Sequence, residues 1–117
     1  MRLFFLIVFL VSLYANGSEI CNVENEKAES DMAIIESDQS GYEVIGLGRV
    51  YFYSSPNNAC KDSSVFIIPG DRVNAYGDYK DFTYVMYFSK RGKEYHGWVK
   101  SERLHPTGTG IGPAKGN

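Results

Sequence analysis

Between Gly48 and Leu104 one pattern recurs five times: a short run of β-branched and aromatic residues, closed by turn-forming ones. Arg49-Val50-Tyr51-Phe52-Tyr53 stops at Ser54-Ser55-Pro56-Asn57-Asn58, and Val65-Phe66-Ile67-Ile68 stops at Pro69-Gly70-Asp71. Arg72-Val73-Asn74-Ala75-Tyr76 runs into a polar connection, Gly77-Asp78-Tyr79-Lys80-Asp81. Phe82 to Phe88 ends at the hairpin loop Ser89-Lys90-Arg91-Gly92-Lys93, where Gly92 suits a left-handed position, and Tyr95 to Lys100 carries Gly97-Trp98-Val99. Successive side chains on a strand point to opposite faces, so alternating runs of this length at about ten-residue spacing predict strands. Roughly sixty residues are too few for an immunoglobulin-type sandwich of about 100. The pattern therefore predicts an all-β fold, a small, partly open five-stranded barrel over residues 44–105. Its inward side chains are Val50, Phe52, Val65, Ile67, Val73, Ala75, Thr83, Val85 and Val99.

The start of the chain has a different character. Arg2 precedes an apolar run, Leu3 to Val11, which is shorter than the ~20 residues that cross a bilayer. With Ala15-Asn16-Gly17 after it, the segment reads as an export signal, residues 1–17, cut after Gly17 or alternatively after Ala15. An uncleaved anchor helix is the competing reading. Cys21 follows Glu19-Ile20 instead of a small residue, which argues against a lipid anchor. The expected location is periplasmic or secreted, with no transmembrane anchor after cleavage. In such an oxidising compartment the two cysteines, Cys21 and Cys60, predict one disulfide. The alternative, Cys60 as a nucleophile, would need His96 or His105 as its base.

Charge divides the remainder. Residues 18–43 form an acidic N-terminal extension with eight acids and one base, Lys27. From Val44 onward ten bases face six acids, so the two parts carry −7 and +4. The extension reads either as a solvated leader or as an acidic arm for a basic partner. Ala28, Met32 and Ile35 fit a helix over about Glu24 to Glu36, while Ala33-Ile34-Ile35 fits a short strand equally well. After Pro106, residues 106–117 read as a flexible Gly/Pro-rich tail.

Four motifs in order give the chain a resemblance to bacterial SH3-like domains. Val50-Tyr51-Phe52-Tyr53-Ser54-Ser55-Pro56 is similar to that family's opening strand and turn, and Pro69-Gly70-Asp71-Arg72-Val73 to its Lys-Gly-Asp-x-Val. Phe82 to Tyr87 resembles the central strand, and Gly97-Trp98-Val99-Lys100-Ser101 with Leu104 the closing Gly-Trp-Val motif. Ser55 stands where the family usually has Gly, and Phe82 where Trp is common. The resemblance implies a non-catalytic binding module for cell-wall peptide or glycan, or for a protein partner.

Strand alternation adds a surface to that expectation. With Val50, Phe52 and Val85 inward, Tyr51, Tyr53 and Tyr84 point outward, and together with Trp98 they are candidates for an aromatic ligand groove. Lys90, Arg91 and Lys93 form a compact basic loop suited to phosphate, a peptide carboxylate or an acidic partner. Net charge and export oppose nucleic acid as a partner. No metal-ligand spacing, nucleophile elbow or phosphate-binding loop occurs, so no cofactor and no catalysis are expected. The expected function is a binding or adaptor module of the bacterial envelope, with peptidoglycan or an envelope protein as partner. The alternative is an inhibitor or immunity protein against a cell-wall hydrolase.

Overall fold

A computed structural model describes residues 17–110. The expected export segment lies outside them except for Gly17, as does the chain beyond Gly110. Among the described residues one α-helix, α1 (Gly17–Asp31), precedes eight strands: β1 (Ala33–Ile34), β2 (Gly41–Val44), β3 (Val50–Tyr53), β4 (Lys61–Ile67), β5 (Arg72–Tyr79), β6 (Phe82–Phe88), β7 (Glu94–Lys100) and β8 (Leu104–Pro106). All five expected runs are strands, and three short ones join them. The order across the sheet is β4-β3-β7-β6-β5-β2-β8, with β1 added against β5 and every pair antiparallel. The sheet curls into a half-barrel.

Its inner face holds Val44, Val50, Phe52, Ile67, Val73, Ala75, Val85, Val99 and Leu104. The alternation read from the sequence therefore sorts the faces correctly. Val65 is half-buried beside this cluster, and Thr83 is buried as a polar residue donating to Asp78 Oδ1 at 2.7 Å. Val44 and Leu104 come from strands too short to show a period.

Four boundaries differ from the sequence reading, the first being β4, which starts at Lys61 and not at Val65. β5 continues through Tyr79, so the supposed polar connection shrinks to a two-residue turn, Lys80-Asp81, with Lys80 at φ 55°. The flexible tail does not begin at Pro106: β8 pairs with β2, Thr107 N donates to Gly41 O, and Gly41 N donates to Thr109 O, each at 2.9 Å. Helix and strand both occur in the acidic extension, but the helix ends at Asp31. Ala33–Ile34 then pairs with Asp78 and Gly77 of β5, and the Ile35 N–H continues to the Tyr76 carbonyl at 2.9 Å.

The register between β3 and β4 moves from Tyr51↔Phe66 to Phe52↔Asp62, which bulges Ser63, Ser64 and Val65 out of the ladder. Asp62 Oδ1 accepts the Ser64 N–H at 3.0 Å and its hydroxyl at 2.6 Å, and these bonds hold the Asp62 carboxyl below its usual pKa. β4 lies at one end of the sheet, so this bulge blunts an edge otherwise open to strand addition.

Candidate functional site

The outer face of the sheet carries a row of aromatic side chains set by register. Tyr53 pairs with Trp98 and Trp98 with Tyr84, which places three rings side by side across β3, β7 and β6. The Tyr84 and Trp98 ring centroids are 5.2 Å apart, Tyr79 and Trp98 6.4 Å, and Tyr53 and Phe82 5.1 Å, edge-on or tilted as their quadrupoles favour. Beyond Tyr84 the row continues to Tyr76 and His96.

Helix α1 covers the middle of this row. Trp98 is 0% exposed, and Ala28 of the helix packs with it and Phe82, with Met32, Tyr53, Tyr79 and Tyr84 around them. The expectation of an open groove at Trp98, Tyr53 and Tyr84 is thereby corrected: these side chains do point away from the barrel core, but the chain's own helix fills the space outside. Gly97, Trp98 and Val99 are consecutive and all buried because Val99 faces the inner core while Trp98 faces the helix.

Polar contacts and one covalent bond hold α1 in place. A buried indole N–H needs an acceptor, and Trp98 Nε1 donates to Asn25 Oδ1 at 2.7 Å. Asn57 Nδ2 donates to Glu24 Oε1 at 2.8 Å, and the fully buried Ser55 hydroxyl reaches the same oxygen at 3.5 Å. Cys21 and Cys60 form the expected disulfide, which removes the nucleophile reading of Cys60. Burial under α1 raises the Tyr84 pKa, with the Glu29 carboxylate and Tyr76 adding to the effect.

One uncovered part of the outer face lies on β3 and β4, and another at the far end of β6 and β7, where Phe88 and His96 are exposed. Tyr51 and Phe66, directly opposite in register, meet edge-on with centroids 5.9 Å apart. The Arg49 guanidinium sits 4.2 Å above the Phe66 ring and the Lys61 ammonium 4.3 Å above Tyr51. The result is a stripe ordered cation, ring, ring, cation. Among the described residues neither Arg49 nor Lys61 has a carboxylate within ion-pair distance.

The expected site residues thus divide among three places. Tyr51 is on the stripe; Tyr53, Tyr84 and Trp98 lie beneath α1; and Lys90, Arg91 and Lys93 are exposed at the β6–β7 hairpin, with Gly92 at φ 82°. Arg49, Lys61 and Phe66 were missed as site residues. Alternation carried a signal for two of them, since Arg49 shares a face with Tyr51 and an inward Ile67 turns Phe66 outward.

At one end of the barrel a second feature is built from a single side chain. Arg103 donates from Nε to the Ile45 carbonyl and from Nη2 to the Gly48 carbonyl, both at 2.8 Å, and from Nη1 to Arg49 O at 3.5 Å. The loop it clamps has Gly46 at φ 91° and Gly48 at φ 85°, conformations that side chains resist, and a Cβ on Gly46 would stand 2.6 Å from Arg103 Nε. Leu47 projects from its tip, 95% exposed.

Among the described residues no three His, Cys, Asp or Glu side chains gather where a metal ion could be held, and no helix is long and apolar enough to cross a membrane. No family model, curated protein or solved structure matches the chain.

Proposed function

We propose that the chain is a non-catalytic binding module of the bacterial envelope, and that its contact surface is the Arg49–Phe66–Tyr51–Lys61 stripe. The ligand class is anionic cell-wall peptide or glycan. Ring faces suit the apolar faces of sugars and peptide units, while the two cations suit carboxylates through charge-assisted hydrogen bonds. The observation that carries this reading is that both cations are held over rings with no carboxylate partner among the described residues. The ordered motifs that resemble bacterial SH3-like domains, and the disulfide expected in an oxidising compartment, add support.

Co-sedimentation with purified cell-wall sacculi tests it. Retention of the wild type should fall about tenfold or more in Tyr51→Ala and in the double variant Arg49→Ala/Lys61→Ala. The hairpin variant Lys90→Ala/Arg91→Ala/Lys93→Ala should retain most binding. A wild type that stays in the supernatant at low salt refutes wall binding.

A role as inhibitor of a cell-wall hydrolase has its own support in the clamped loop. A preorganised apolar tip loses little entropy on entering an enzyme's cleft, and Leu47 is such a tip. Inhibition of a purified wall hydrolase that Leu47→Asp abolishes would establish this role. The form of it that relies on a free acidic arm loses ground, because α1 lies on the sheet and Glu24 bonds inward to Asn57.

A further inference from the structure

The stripe has a counterpart of opposite charge on the same chain. α1 turns Cys21, Glu24, Asn25 and Ala28 toward the sheet, and Met32 follows just past its end, all half-buried or buried. Glu19, Val23 and Glu26, spaced by four and three residues, stand on the opposite ridge of the helix, with Ile20 on its flank. Each is exposed, Ile20 by 54% and Val23 by 66%, and the helix carries five acids against Lys27, itself 3.4 Å from Asp31. The order along this ridge is carboxylate, apolar side chain, carboxylate. It mirrors the stripe in sequence of character and in reversed sign.

The dimensions are compatible with such a match. Glu19 and Glu26 are seven residues apart, a rise of about 10 Å along a helix. On the stripe, steps of 4.2, 5.9 and 4.3 Å place the two cations no more than about 14 Å apart. A helix laid along the stripe can therefore put one carboxylate near each cation and Val23 over the Phe66–Tyr51 pair. The contact cannot form within one chain, because the Cys21–Cys60 bond and the Asn25–Trp98 bond hold the other side of α1 on the neighbouring part of the sheet.

We propose that the outward ridge of α1 from a second copy of this chain docks on the Arg49–Phe66–Tyr51–Lys61 stripe. A two-fold axis makes the exchange reciprocal, each helix on the other chain's stripe, and closes the assembly at two copies. The proposal rests on the stripe being the contact surface, as above, and adds how it is regulated: a stripe occupied by a partner helix is closed to the wall, so self-association sets the share of binding-competent monomer.

Sedimentation velocity of the protein, exported from its full-length gene and purified with the disulfide intact, tests this without any wall ligand. The wild type should form dimers, and raising salt from about 50 to about 500 mM should weaken them about tenfold or more, since the contact is charge-matched at its rim. Glu19→Lys/Glu26→Lys and Arg49→Glu/Lys61→Glu should each be monomeric while keeping the wild-type circular dichroism spectrum. An equimolar mixture of these two variants should dimerise again, because both reciprocal contacts regain opposite charges. A wild type that is monomeric throughout overturns the proposal and leaves sacculus retention untouched. Dimers indifferent to both swaps, or swaps that fail to rescue each other, overturn it equally.

Discussion

Replacing Cys21 and Cys60 by serine removes the covalent hold on α1 and leaves every residue of the inner core in place. The bond joins positions 39 apart. Chain-entropy arithmetic for a loop of that length gives about 4 kcal/mol of stabilisation, a large share of the roughly 5–15 kcal/mol typical of a small domain. Two principal hydrogen bonds then remain between helix and sheet. Trp98 to Asn25 contributes about 1 kcal/mol and the charge-assisted Asn57 to Glu24 about 1.5–3 kcal/mol. A helix of 15 residues is marginal by itself, and α1 has no basic residue in its last turn to favour its C-terminal end. The helix should therefore lift from the double variant before the sheet melts. Trp98 is the chain's single tryptophan and lies directly beneath it, so its fluorescence reports loss of this cover, while circular dichroism follows the sheet. In Cys21→Ser/Cys60→Ser, emission should shift to the red and acrylamide quenching should rise at urea concentrations where the β-sheet circular dichroism is still intact. In the oxidised wild type the two transitions should coincide. If Trp98 in the variant stays shielded until the sheet signal is lost, α1 is an integral layer of the fold and the staple is not what keeps it there.

Asn25→Ala leaves the buried Trp98 N–H without its acceptor and should lower the unfolding free energy by about 1–3 kcal/mol in urea titration. Gly97→Ala should cost a similar amount, about 1–3 kcal/mol, because the new Cβ would stand 2.8 Å from Phe52 Cδ2 in the packed core; a fully stable variant would show that β3 and β7 can separate freely. Tyr84, Tyr42 and Tyr87 all have folded pKa values raised above 10.0, each chiefly by burial. Their contribution to stability is complete below pH 10 and is lost as pH rises through the folded values, so urea midpoints should fall above about pH 10 and Tyr84→Phe should blunt that fall. Leu47→Asp, at a 95% exposed tip, should change stability by no more than about 0.5 kcal/mol in the same assay.

Which face each strand residue takes was legible in the sequence, because a period of two is local. Val50 and Phe52 face inward and Tyr51 and Tyr53 outward, as alternation requires. The disulfide was legible from the count of cysteines. The fate of the outward face was not legible, because it depends on a segment far away along the chain: Asn25 and Trp98 are 73 positions apart. α1 gives little warning of its role. It offers the sheet one fully buried apolar residue, Ala28, and is otherwise fixed by a cysteine, an amide and a carboxylate, which leave no periodic apolar signature. β2 and β8 were missed for a related reason: Gly41–Val44 and Leu104–Pro106 are too short to show alternation, and Pro106 is tolerated because β8 lies at the sheet's edge.

The part of the outer face beside α1 on β3 and β4 differs from the covered part in where charge sits. Under α1 the sheet presents Tyr53, Trp98, Tyr84 and Phe82, rings that a small-faced helix turn at Ala28 can approach closely. Two residues along β3 from Tyr53, the ring of Tyr51 is flanked by Lys61 and, through Phe66, by Arg49. The inward face of α1 carries one carboxylate, Glu24, which is already engaged by Asn57, so covering both cations with it would leave at least one desolvated and unpaired, at a cost of several kcal/mol. Their natural cover is a surface that brings its own carboxylates. Within this chain the carboxylates of α1 that point outward, Glu19 and Glu26, are on the side the disulfide turns away from the stripe. Among the described residues no carboxylate pairs with Arg49 or Lys61, so charge reversal at these two positions, more than any substitution beneath the helix, tests whether the stripe is a working surface.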